Sequence, residues 1–193
     1  ESTVGVNEEV TFSVWYRSDE DHPDFRVPYP TIFRYGGENA GGWPSYSMGQ
    51  ITDGGTDLKL GITNDIRSGV QRAINTPDRL TGRTWHHAVL TSAGGTMSLY
   101  ANGQAVGTVN GVAPVTSPGL VLGRSRGFVG PGQSSFLGQI DDVRIYNRAL
   151  SDTEVSELYE LEKPEEPDWA NSTFEWVQGT FTWEEARADA EAR

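Results

Sequence analysis

The chain has 193 residues, 36% of them hydrophobic, with 6 Trp, 7 Tyr, 7 Phe, 23 Gly and 10 Pro, enough apolar material for a buried core and too much for wholesale disorder. Its 15 basic against 27 acidic residues give a net charge of −12, which argues against binding nucleic-acid phosphates or an anionic membrane surface. There is no cysteine and no apolar run of 18 residues, so disulfides, thiolate zinc sites, cysteine nucleophiles and a membrane-spanning helix are excluded.

In chain order, Val10, Phe12, Val14 and Tyr16 alternate with Thr11, Ser13, Trp15 and Arg17, a period of two that predicts a half-buried strand. Leu58, Leu60 and Ile62 alternate in the same way with Asp57, Lys59 and Gly61. Trp85, His87 and Val89 share one face of a further segment, and Met97, Leu99 and Ala101 follow. Asn102-Gly103 then supplies the two positive-φ residues of a type I′ hairpin turn. Leu120-Val121-Leu122 and the stretch from Ile140 to Tyr146 complete a set of short strands, as an antiparallel two-sheet β-sandwich requires. Ser151-Asp152-Thr153-Glu154 is a capping box that opens a short helix through Val155, Leu158 and Tyr159. Two prolines among acidic residues, Pro164 and Pro167, mark a solvated linker. The expected organisation is therefore a body over 1–160, a linker over 161–168 and a tail over 169–193. The tail and linker carry 3 basic and 9 acidic residues, half of the whole net charge in the last sixth of the chain.

The strings VTFSVWYRSD, TWHHAVLTSAGGTMSLYANGQAVG, LVLGRS and FLGQIDDVRIYNRALSDTEVSEL occur in the order found in laminin G-like domains. The body resembles that branch of the concanavalin A-like jelly-roll superfamily over residues 4–160. The resemblance implies an all-β jelly-roll sandwich and a non-catalytic extracellular or cell-surface module that recognises a glycan or an extracellular protein. The family's usual first strand, which pairs beside the last one, is missing or reduced to ESTVGV. That leaves an edge open to preceding chain or to copies of the same molecule, and a surface filament built by strand-edge contacts is the alternative. An accessory domain of a larger glycoside hydrolase is a third reading. The tail FEWVQGTFTWEEARADAEAR resembles the opening strand and helix of a C-type lectin-like domain, with a second capping box at 182–185 and Trp183, Ala186 and Ala190 on one helix side. An amphipathic terminal helix is its plainer reading. The chain opens at Glu1 without a leader and reads as an excerpt of a longer, modular protein. The absence of cysteine and the scarcity of lysine lean toward a bacterial extracellular source, in which Asn171-Ser172-Thr173 is an unmodified polar stretch.

Catalysis has no visible apparatus. The paired carboxylates that glycoside hydrolysis needs on one strand face are absent, because Asp141 and Asp142 are adjacent and point to opposite faces of a strand. His86 and His87 lie mid-strand without a nucleophile elbow. For ligand stacking, Tyr35, Trp43 and Tyr46 combine flat aromatic surface with the glycine-rich stretches 36–37 and 41–42, core packing being the competing role. Arg124 and Arg126 are candidates for an anionic glycan. Asp141 shares strand parity with Val143 and Ile145, so its carboxylate is expected among apolar neighbours, where it must find donors or a cation. The resemblance implies a structural calcium there. Asp19 and Asp21, in the acidic run 19–24, are further oxygen ligands for calcium, unless that run is simply a solvated loop.

Overall fold

The computed structural model describes residues 9–19, 31–36, 45–52, 58–65, 71–78, 80, 82–113, 115, 119–123, 136–164, 182 and 184. The elements among these residues are β1 (Val10–Ser18), β2 (Thr31–Tyr35), β3 (Ser45–Thr52), β4 (Leu58–Asp65), β5 (Gln71–Asn75), β6 (His86–Ala93), β7 (Thr96–Ala101), β8 (Gln104–Asn110), β9 (Leu120–Leu122), β10 (Gly138–Tyr146) and α1 (Asp152–Glu162). They build two five-stranded sheets, β10-β1-β6-β7-β8 and β5-β4-β3-β2-β9, and every pairing is antiparallel. The expected all-β jelly-roll sandwich with its short helix is what the chain forms.

Period-two alternation places the core. Val10, Phe12, Val14 and Tyr16 of β1, Ala88 and Leu90 of β6 and Met97 and Leu99 of β7 pack against Phe33, Tyr35, Tyr46, Met48, Leu60 and Ile62 of the second sheet. Phe12 is the centre of the aromatic packing, with ring centroids 4.8 Å from Phe33 and 5.2 Å from Tyr35. A polar contact bridges the sheets between the Tyr46 hydroxyl and Ser92 Oγ at 3.0 Å. The type I′ signal at Asn102-Gly103 closes the β7–β8 hairpin, with φ of 50° and 75°.

The outer face of the first sheet is roofed by α1. Ser151 Oγ accepts from the Glu154 amide and the Glu154 carboxylate accepts from the Ser151 amide, so the capping box is complete. Arg148 grips the same carboxylate through both terminal nitrogens at 2.8 and 2.7 Å. Val155 is fully buried and joins Val89, Tyr100 and Leu150 in a second, smaller cluster. Thr11 Oγ1 donates to the Arg148 carbonyl and accepts from the Leu150 amide, and the Tyr100 hydroxyl donates to Asp152. These bonds tie the helix start to the sheet. The expectation that β1 is half-buried is corrected by this roof: Thr11, Ser13 and Trp15, on the face away from the sandwich core, are buried as well. Leu161 and Glu162, expected in the linker, form the last turn of α1, which ends two residues before Pro164 because proline cannot continue the helix.

The chain divides into two compact units, 1–163 and 164–193. The C-type lectin-like reading of the tail, Asn171 and the residues proposed for its helix lie outside the described residues, apart from Thr182 and Glu184. So do residues 1–8. Among the described residues β10 has one strand partner, β1. No helix among them is long and apolar enough to cross a membrane.

Candidate ligand-binding face

The aromatic candidates divide. Tyr35 and Tyr46 are 4% and 2% exposed and both rings pack on Phe12. They are core residues with no face free for a sugar, since inward parity on β2 and β3 decides their direction. Trp43, Arg124, Arg126 and Asp21 lie outside the described residues. Asp19 is exposed after the end of β1, where its amide donates to the Leu137 carbonyl at 3.1 Å.

Asp141 is not among apolar neighbours. Ser13 pairs with Arg144 but Trp15 pairs with Asp141, so β10 holds one extra residue opposite β1. Asp142, at φ 43°, takes up the bulge. One inserted residue reverses the facing of everything beyond it: Ile145 and Ile140 pair with the inward Phe12 and Tyr16, while Asp141 pairs with the outward Trp15. Its side chain is exposed, and Oδ1 accepts from the Asp142 amide at 2.9 Å. The burial that would have demanded a cation is therefore absent. Among the described residues no three His, Asp or Glu side chains converge as a metal site.

A Ser–His contact does exist, between Ser13 Oγ and His87 Nε2 at 2.8 Å. It cannot act on a substrate as it stands. Both residues are sealed beneath α1, His87 at 0% exposure with Trp15 stacked on it at 5.1 Å and Tyr159 at 6.0 Å. Burial, with the Arg144 charge adding to it, holds the His87 pKa down at about 4.

The second sheet presents the opposite situation: no described element lies across its outer face. Strand register aligns Val121, Arg34, Ser47, Thr63 and Ala73 in one row across all five strands. All five are partly or well exposed. Ser47 Oγ and Thr63 Oγ1 stand 2.7 Å apart, and Arg34 adds a guanidinium one strand away. The adjacent row brings Gly49, Gly61 and Asn75 into register. A glycine pair leaves a strip without side chains beside the polar row.

The sequence of residues 1–156 matches the laminin G-type model of the concanavalin A-like lectin/glucanases superfamily. The chain belongs to this superfamily. No curated protein sequence matches it. Among solved structures, this member is similar to the sialidase module CBM40 of Ruminococcus gnavus bound to α2,3-sialyllactose, with TM-score 0.60 and 19% identity over 81% of this chain and 84% of that one. It is also similar to a SAP-like pentraxin of Limulus polyphemus, with TM-score 0.58 and 23% identity over 79% and 70%. A third is domain 4 of the extracellular arabinanase AbnA of Geobacillus stearothermophilus in complex with arabinotriose, with TM-score 0.54 and 18% identity over 79% and 66%. At these identities the likeness is one of fold.

Sequence reasoning passed over Arg34, Ser47 and Thr63. Their signal was present: Arg34 stands between Phe33 and Tyr35, and Ser47 between Tyr46 and Met48, each a polar residue at the outward position of an alternating strand. Aromatic composition drew attention to the inward neighbours instead.

Proposed function

We propose that this superfamily member is a non-catalytic, extracellular carbohydrate-binding module whose ligand lies along the outer face of its second sheet. The observation that carries the reading is the in-register row Arg34–Ser47–Thr63 beside the Gly49–Gly61 strip, on the sheet face that no described element roofs. Sugar hydroxyls are met by groups that both donate and accept, and Ser and Thr supply both. Two of the similar folds are complexes with oligosaccharides, and two come from carbohydrate-active enzymes, which supports a glycan as the ligand and an accessory role beside an enzyme as one setting for it.

The test is a glycan panel that includes sialyllactose and arabino-oligosaccharides, read by calorimetry on the whole chain. Arg34→Gln, and Ser47→Ala with Thr63→Ala, are each expected to lower affinity about tenfold or more, the loss of about 1.4 kcal/mol. Retention of full affinity in both proteins, or binding to no member of the panel, would overturn the reading.

A further inference from the structure

We propose that α1 is an acid-released strap, seated on the first sheet over an uncharged His87 and lifted when that ring takes a proton. The geometry leaves the protonated ring nowhere to go. His87 projects from β6 into a closed pocket whose floor is Ser13 and whose roof is Trp15 and Tyr159. Nε2 has Ser13 Oγ at 2.8 Å, but Nδ1 is buried and has no hydrogen-bond partner. The imidazolium carries an N–H on both nitrogens, so Nδ1–H would be a buried donor without an acceptor.

The groups around the pocket do not offset that charge. From β10 the nearest ionic group is Arg144, itself a cation. From α1 the carboxylate of Glu162 is already engaged, accepting from Trp15 Nε1 at 3.1 Å and paired with Arg144 at 2.5 Å. Asp142 is 3.7 Å from the Arg144 guanidinium. From the β7–β8 turn Asn102 meets the backbone of His87 rather than its ring. Tyr100, on β7, is turned to Asp152. His86 faces the sandwich interior beside Tyr16.

The helix is the part that can yield. β6 is held by full ladders to β1 and β7 on either side, whereas the C-terminal half of α1 rests on Tyr159, Leu158 and the Glu162 contacts. Lifting it would give the His87 ring water and uncover the Trp15 ring that Tyr159 now covers.

The direction with pH follows from linkage. His87 has a pKa of about 4 when seated, against 6.5 in the open. The seated state is therefore fully favoured above pH 6.5 and weakens roughly tenfold for each pH unit between there and about 4. Glu162 works the other way, because desolvation raises its pKa and its protonation favours the seated state. Glu154 holds its charge down to about pH 2. The interval from pH 6.5 to 5 thus lies above the Glu154 window, and protonation of Glu162 within it could only oppose the release.

The experiment is amide hydrogen exchange on the whole chain from pH 7 to 5, with rates corrected for their intrinsic pH dependence. Protection of the amides at 155–163 should fall about 15-fold between pH 6.5 and 5, while those of β6 and β7 keep theirs. In His87→Phe, which preserves a flat ring under Trp15, the fall should vanish; in His86→Gln it should remain. Constant helix protection, simultaneous loss in helix and sheet, or a fall that survives His87→Phe would each overturn the strap. Should His87→Phe fail to fold, the ring resonance of His87 in the unaltered protein decides. Titration near pH 6.5 with the helix amides still protected overturns the strap, and titration below pH 5 in step with their release supports it.

Discussion

Tyr46 shows how one residue changes role between sequence and structure. Its ring fills the core against Phe12, and its hydroxyl reaches Ser92 across the sandwich. Tyr46→Phe is expected to cost about 1–2 kcal/mol, because Ser92 is left buried without its partner, and to leave glycan affinity unchanged. Thermal melting and calorimetry on the same preparation check both halves, and a loss of affinity without a loss of stability would return Tyr46 to the ligand site. Asp141 is the companion case. An exposed carboxylate bonded to its neighbour's amide contributes little, so Asp141→Asn should change stability by less than about 0.5 kcal/mol, with the same melting temperature in calcium and in excess chelator. A chelator shift that Asp141→Asn abolishes would restore calcium to that position. Strand alternation was legible at both residues, and it gave Tyr46 its inward direction. It failed at Asp141 because a bulge is one residue of backbone, Asp142 at positive φ, and Asp is a residue that tolerates this conformation without announcing it.

At the scale of the element, α1 is the most legible piece of the chain and also the one whose placement was least legible. The capping box Ser151–Glu154 is a local pattern and could be read directly. That the helix then lies across β1, β6 and the β7–β8 turn is a long-range fact, written in Thr11, Tyr100 and Trp15 only once their partners are known. The turn itself shows how tight that seating is. A Cβ on Gly103 would come within 2.9 Å of the Tyr159 side chain, at a φ of 75°. Gly103→Ala is expected to cost at least about 1–2 kcal/mol from the left-handed backbone alone, and to loosen the amides of α1 more than those of β3 and β4. Equal loosening throughout would mean that Tyr159 is not seated on the turn. Ser151→Ala should cost about 1 kcal/mol through the lost cap. The cap also has its own acid limit: Glu154 has its pKa lowered to about 2, chiefly by Arg148, so its contribution is complete above pH 4.5 and is lost as pH falls from there toward 2. That window overlaps the lower end of the one assigned to His87 between pH 4.5 and 4 and runs on to 2, so helix protection should go on falling below pH 4, where His87 no longer contributes.

At the scale of the whole molecule the sandwich was legible because strands such as β1 and β4 carry a period of two, though β2, β3 and β5 were not picked out; the strand order was not legible, because β10 beside β1 and β9 beside β2 are pairings between distant parts of the chain. Those two edge strands close the same side of the sandwich, where Gly123 approaches Ile140, and they leave Leu120, Leu122 and Val143 at 42%, 44% and 37% exposure. Among the described residues this flank, with β10 and β9 at the sheet edges, is one of two places where assembly through strand edges can occur, β8 and β5 forming the other. Three forces bear on it. The exposed apolar side chains favour association. The bulge in β10 breaks the regular row of edge groups that a second strand would need, a device that edge strands use against such pairing. The net charge of −12 repels a second copy at long range, and that repulsion is screened within about 3 Å in 1 M salt but extends about 30 Å at 0.01 M. Bulge and charge together outweigh a patch of three side chains at low salt, so light scattering at neutral pH in 0.01 M salt should give the mass of one chain. Raising salt to 1 M removes only the charge; the weak association then expected should disappear in Leu122→Asp, which places a carboxylate in the flank. An oligomer already present at low salt and insensitive to Leu122→Asp would place the contact elsewhere, and one abolished by it would make the flank, rather than the sheet face, the working surface of the molecule.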